Sequence, residues 1–178
     1  MTHYTTVSRN EELLEILALQ KKNLSESISV SEKETEGFVT VRHNFDVLKN
    51  MNNQQSHIIA KDNDQVVGYT LCMTKEFAGE IEILKPMFQK ISQQLNREDT
   101  YLVMGQICID KAYRGQGVFR GLYQKMKSEL KEKYDLLITE VASNNLRSLK
   151  AHKAIGFKNL ITYESDGIEW HLISWNWE

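Results

Sequence analysis

Cysteine is scarce in this chain. Only Cys72 and Cys108 occur in 178 residues. They stand far apart, each inside a strand-like apolar run, and read as buried thiols rather than as a disulfide or a metal pair. No run of about 18 apolar residues is present, so no membrane-spanning helix is expected. Neither sign of charge dominates: 22 Lys and Arg against 24 Asp and Glu give a net charge of −2. That balance argues against a nucleic-acid surface, which needs clustered positive charge. His3, His43, His57 and His171 show no metal-ligand spacing, so no metal is expected. Met1-Thr2-His3-Tyr4-Thr5-Thr6 lacks the basic start and apolar stretch of a secretion signal, which with the cysteine usage points to the cytoplasm. Without such a signal the Asn23-Leu24-Ser25 sequon carries no meaning. Repeats, low-complexity tracts and linkers are missing as well, and the length suits one domain over residues 1–178 with a sizeable core.

What the chain does contain is concentrated between Tyr101 and Leu130. Leu102-Val103-Met104-Gly105-Gln106-Ile107-Cys108-Ile109 is mostly apolar and partly β-branched, as a strand requires. A short glycine turn follows, Arg114-Gly115-Gln116-Gly117-Val118-Phe119. Then Val118, Phe119, Leu122, Tyr123, Met126 and Leu130 recur at helical spacing. Two glycines ahead of a helix let backbone N–H groups converge, and the helix dipole adds partial positive charge there. Arg114 adds a guanidinium suited to a phosphate. The turn reads either as an anion cradle, of the kind that takes a pyrophosphate, or as a plain connection. It is not a dinucleotide fingerprint, whose third glycine would fall on Arg120, nor a Walker loop.

Around this unit, residues 3–7 suit a short strand, and Glu11 to Leu24 suits a helix capped by Asn10. Ser25 to Gly37 is rich in Ser and Glu, which fits a solvated loop or a mobile flap whose carboxylates attract a cationic amine. Phe38-Val39-Thr40-Val41 leads into a second helical stretch, Phe45 to Met51. Ser56–Ala60 and Gln65–Cys72 form a hairpin, which favours a mixed sheet over a doubly wound one. Between Thr74 and Thr100, Met87, Phe88, Ile91 and Leu95 share a helical face after Pro86. That insertion could cover a cleft, make a subunit contact or simply pack. Asp135–Ala142 is a buried-looking strand, parallel to the Tyr101 strand across the intervening helix. A helix from Asn145 to Ile155 ends at Gly156. Leu160–Glu164 and Ile168–Trp177 close the chain as a second hairpin.

Two of these stretches together resemble the GNAT superfamily of acyl-CoA-dependent N-acetyltransferases. The turn matches the family's Q/R-x-x-G-x-G/A signature with Arg114 and Gly117 in register, and departs from it at Phe119, where the family has a small residue. Asn145-Leu146-Arg147-Ser148-Leu149-Lys150-Ala151-His152-Lys153-Ala154-Ile155-Gly156-Phe157 is similar to the helix after the fifth strand, which often opens with Asn and closes with Gly-Phe. The resemblance covers residues 101–157 and, more loosely, the hairpin at 56–73. It implies an α/β fold of the α+β kind: a mixed sheet with antiparallel N-terminal strands, a parallel central pair that splays apart, and a C-terminal hairpin. It also implies acetyl-CoA as co-substrate. Pantetheine would bond to the backbone of Ile107, Cys108 and Ile109, and the pyrophosphate to amides of Gly115, Gln116, Gly117, Val118 and Phe119, with Arg114 beside it. Asn145 would reach the pantetheine arm, or simply cap its helix.

Acetyl transfer needs a neutral amine, donors for the oxyanion and an acceptable fate for the thiolate. A backbone N–H of the splayed strand could serve the oxyanion. In many members a Tyr on the last helix protonates the sulfur; the aligned residue is His152, whose imidazolium is a competent donor. Leu149, His152 and Ile155 share a face, so His152 also reads as a core histidine, with Tyr123 or Tyr163 as substitutes. Glu140, near the end of a buried strand, is costly there unless it is paired or poised as the base. Cys108 reads as inert. The resemblance thus implies transfer of an acetyl group to a primary amine on a small molecule or peptide. A binding or sensor domain without catalysis is the alternative, since the usual Tyr and small residue are replaced by His152 and Phe119. A phosphate-binding protein unrelated to CoA is a further one. Trp175 and Trp177, if exposed, could support a homodimer.

Overall fold

Among the described residues seven strands form one sheet, in the order β1-β2-β3-β4-β5-β7-β6. The structure is a computed structural model in which residues 2–29, 38–96 and 98–177 are described. Most of the Ser- and Glu-rich stretch, residues 30–37, therefore lies outside the described residues. The strands are β1 His3–Thr6, β2 Ile58–Asp62, β3 Gln65–Met73, β4 Tyr101–Ile109, β5 Leu136–Ala142, β6 Lys158–Ser165 and β7 Ile168–Asn176. The helices are α1 Asn10–Asn23, α2 Phe45–Gln54, α3 Lys85–Gln94, α4 Val118–Leu130 and α5 Leu146–Ile155. The sheet is mixed, as the upstream hairpin implies: β1 to β4 pair antiparallel, β4 and β5 pair parallel, and β7 returns antiparallel to β5.

Alternation along the strands divides the core in two. On one face Leu13, Ile16 and Leu19 of α1, Leu48 and Met51 of α2, and Met87, Phe88 and Ile91 of α3 pack with Tyr69, Leu71, Val103 and Ile138. On the other, Leu122, Tyr123, Met126 and Leu130 of α4 pack with Leu102, Met104, Leu137 and Ile173. Asn10 is the first residue of α1 rather than its cap. Glu12 does that work by reaching back, its Oε2 accepting the N–H groups of Ser8 at 2.8 Å and Arg9 at 3.1 Å. Glu12 Oε1 also takes the buried Lys61 ammonium at 3.0 Å, which ties α1 to β2.

Two irregularities shape the middle of the sheet. Pairing of β4 with β5 covers only Tyr101↔Leu136, Leu102↔Leu137 and Val103↔Ile138, although both strands run on. Against β3, Leu71 faces Gln106 and Cys72 faces Met104, so Gly105 is an extra residue in β4. A bulge bends its strand and reverses which face the following side chains take. Before it Leu102 and Met104 point to the α4 face; after it Ile107 and Ile109 do, and Cys108 joins the α1 core. The bulge therefore lies just where β4 leaves β5.

Candidate active site

Beyond Val103 and Ile138 the facing edges of β4 and β5 have backbone groups without a strand partner, and such groups need something to bond. A cavity of about 350 Å³ lies along the freed end of β4. Its lining includes Ile107, Cys108, Ile109, Arg114, Gly115, Gly117, Val118, Phe119 and Asn145, brought together from β4, the glycine turn and α5. Gln116 is the one member of the turn not in the lining; its side chain folds back to donate to the Ala112 carbonyl at 2.7 Å.

The turn has both the space and the donors for an anion. Gly115 and Gly117 adopt φ of +73° and +83°, a region that side-chain-bearing residues avoid. A Cβ on either would meet nothing within 4 Å. Among the described residues no backbone carbonyl receives the N–H of Gly115, Gln116, Gly117, Val118 or Phe119. Phe119 does not close the cradle, because its ring turns inward onto Tyr123 and His152, with centroids 5.0 and 5.1 Å away. The Arg114 guanidinium is braced on both sides. Its Nε donates to the Ile109 carbonyl at 3.1 Å and its Nη2 to Asn23 Oδ1 at 2.6 Å. Arg120 and Arg147 also line the cavity, which gives it the charge to hold a polyanion.

A second, smaller cavity of about 80 Å³ adjoins the first and contains Glu140, His152, Gly105, Gln106 and Trp170. Glu140 sits on β5 in the gap. Burial pushes its pKa up to about 7, against the pull of a hydrogen bond that Tyr163 Oη donates to its Oε2. His152 lies behind the same cavity and is 1% exposed. Burial lowers its pKa to about 4, so at neutral pH its ring is uncharged rather than the imidazolium expected above. The Ser148 carbonyl lies 2.8 Å from Nδ1 and Tyr123 Oη 2.6 Å from Nε2. Cys108 is buried, with its pKa raised to about 12, which fits the expectation of an inert thiol.

Sequence reasoning missed the strap that crosses the gap. Val39 pairs with the end of α1 through Ser25 N–H to Val39 O at 3.0 Å and Val39 N–H to Asn23 O at 3.1 Å. Asn145 caps α5 by accepting Ser148 N–H at 3.3 Å, and its Nδ2 donates to the Phe38 carbonyl at 3.3 Å. Further along, Gln106 Nε2 donates to Val41 O at 2.8 Å. Gln106 Oε1 in turn accepts from Tyr69 Oη at 2.6 Å and Gln20 Nε2 at 2.8 Å. The one local signal for this was Gly105, since an isolated glycine in a strand marks a bulge or a close approach. Trp177 is buried and Trp175 half-buried, so little of their ring surface is left for a second copy.

Residues 13–157 match the acetyltransferase (GNAT) family. The chain belongs to that family. Its solved relatives share the fold at low identity. The ribosomal-protein-S18-alanine N-acetyltransferase of Escherichia coli superposes with TM-score 0.66 at 11% identity, covering 99% of this chain and 94% of that one. An N-acetyltransferase from Staphylococcus aureus Mu50 gives 0.63 at 17%, covering 100% and 99%. A Salmonella typhimurium protein solved with its cofactor acetyl-CoA gives 0.66 at 10%, covering 99% and 94%. No curated protein sequence matches the chain. As a GNAT protein it is an acyltransferase.

Proposed function

We propose that this GNAT protein transfers an acetyl group from acetyl-CoA to a primary amine by direct attack on the thioester. The observation that carries the reading is the parting of β4 from β5 after Val103, directly beside a turn of uncommitted amides. Acetyl-CoA, when bound, supplies the activated acyl group. Amides of residues 115–119 and the Arg114 guanidinium would hold its pyrophosphate. Backbone of Ile107, Cys108 and Ile109 would bond the pantetheine arm, joined by the Asn145 amide hydrogen that is not given to the Phe38 carbonyl.

Glu140 and the α5 residues lie on different sides of the gap. Ile138, two residues before Glu140, packs in the α1 face, as does Tyr163, the partner of Glu140. Alternation puts Glu140 on that face too. His152 belongs with α4 and α5, against Phe119 and Tyr123. The amine therefore enters from the α1 face and the thioester from the α4 face. Glu140, with its pKa near 7, takes the proton of the incoming ammonium. His152 stands on the sulfur side as an uncharged ring, its Nδ1 held against the Ser148 carbonyl at 2.8 Å. An N–H of β4 near the Gly105 bulge receives the oxyanion.

Calorimetry with CoA and acetyl-CoA tests the first half of this reading; no heat of binding at millimolar ligand would reject it. Thiol release across a panel of primary amines tests the second half. Turnover on any member separates an enzyme from a domain that merely binds acyl-CoA.

A further inference from the structure

Phe38, Val39, Ile107, Asn145 and Ser148 line both cavities and so mark their junction. Asn145 and Ser148 carry the polar side chains there. Asn145 has committed its carboxamide at both ends, to Ser148 N–H and to the Phe38 carbonyl. Ser148 has not committed its hydroxyl. The reason lies in the tautomer of His152. The Ser148 carbonyl, 2.8 Å from His152 Nδ1, can only accept, so Nδ1 carries the proton. Nε2 is then a bare lone pair, filled by the hydroxyl hydrogen of Tyr123 at 2.6 Å. Ser148 Oγ, 3.2 Å from Nδ1, faces an N–H and cannot donate to it. Among the described residues no other group accepts the Ser148 hydroxyl hydrogen.

We propose that the Ser148 hydroxyl is the donor that meets the departing sulfur. This rests on reading the chain as a CoA-dependent acetyltransferase. In the transfer the ammonium first gives one proton to Glu140; a nitrogen–carbon bond then forms and the carbon–sulfur bond breaks, its electron pair staying on sulfur, while the second proton leaves the nitrogen for solvent. Ser148 donates a hydrogen bond to that sulfur and keeps its own proton. Handing the proton over would draw replacements from His152 Nδ1 and then from Tyr123, leaving a tyrosinate on a ring with no exposed surface. Burial holds the Tyr123 hydroxyl well above its ordinary pKa, so that outcome is disfavoured. Nor is it needed, because a free thiol ionises near pH ~8.5 and a charge-assisted hydrogen bond is enough to receive it.

The test uses CoA itself as probe and needs no acceptor. The thiol of bound CoA is titrated by the ultraviolet absorbance of its thiolate in the wild-type protein and in Ser148→Ala, with calorimetry on both. In the wild type the bound thiol should ionise more readily than free CoA. Ser148→Ala should weaken that ionisation by about threefold to tenfold, the worth of one hydrogen bond, with CoA affinity at neutral pH changed by less than about threefold. Equal ionisation in the two proteins overturns the proposal. Loss of CoA binding in Ser148→Ala overturns it too, by making the hydroxyl a binding contact. Failure of the wild type to bind CoA rejects the acetyltransferase reading instead, and the two failures are told apart by that control.

Discussion

Glu140 shows how position turns an ordinary side chain into a reagent. A carboxyl of ordinary pKa 4.5 would be fully ionised at neutral pH and a poor base; burial brings it to about 7, near the pH at which it must act. Tyr163 stabilises the ionised form by donating to Oε2, so the raised value is what remains after that help. Glu140→Gln keeps the shape and removes the proton acceptor. With whichever amine turns over, kcat/KM should fall by about 10²- to 10⁴-fold, and the rising limb of the wild-type pH profile near 7 should disappear. A mutant profile that keeps that limb would assign the titration to another group. His152 presents the reverse case. The helical face of Leu149, His152 and Ile155 was readable in the sequence, and both a core and a catalytic role followed from it. That Nε2 is filled by the Tyr123 hydroxyl was not readable, because Tyr123 lies 29 residues away.

At the scale of elements, the strap of residues 38–43 and strand β4 are joined by one carboxamide. Gln106 Oε1 accepts two hydrogen bonds and its Nε2 donates a third to Val41 O, while Gln20 Oε1 accepts the His43 N–H at 2.9 Å. Gln106→Leu would leave the Tyr69 hydroxyl and one Gln20 N–H buried without acceptors. The cost is about 1–3 kcal/mol. A lower thermal midpoint should come with faster amide hydrogen exchange across residues 41–43, while α4 stays protected. Unchanged exchange in the strap would show that it is held elsewhere. The hairpin β2–β3, the helix after Pro86 and the strand–helix–strand unit were all legible, since each declares itself within a short window of apolar spacing and turn residues. The strap was not. Its bonds to Gln106 and Asn145 span 65 and 107 residues, and no local pattern records them.

The molecule as a whole carries three buried histidines held neutral: His43 at about 4, His57 at about 3 and His152 at about 4, each lowered by burial from 6.5. Their partners require the neutral ring. His57 Nδ1 accepts the Cys72 N–H at 3.0 Å while its Nε2 donates to Leu48 O at 3.1 Å, and His43 Nδ1 accepts from Gln20. Groups with depressed values contribute stability that is present above pH 6.5 and lost as pH falls through the folded values. Glu140 has the opposite sign, its contribution being full below 4.5 and lost as pH rises through about 7. Between pH 4.5 and 6.5 three histidines outweigh one carboxyl. Thermal midpoints measured by calorimetry should therefore fall as pH drops from 6.5 toward 4. The net uptake on unfolding should be about two protons. A flat profile over that window would mean that the rings are already charged in the folded protein.

By itself the sequence determined the elements and the family: a glycine turn opening a helix, a parallel strand, and a helix running from Asn145 to Gly-Phe carry their own periodicity and turn chemistry. Tertiary structure alone decided how the site is wired. The Gly105 bulge sets which way β4 faces, the bracing of Arg114 comes from α1, and the Tyr123 hydroxyl fills His152 Nε2. Each of these depends on groups that meet only after the chain has folded, and a hydrogen bond between distant residues leaves no mark on the spacing of either one.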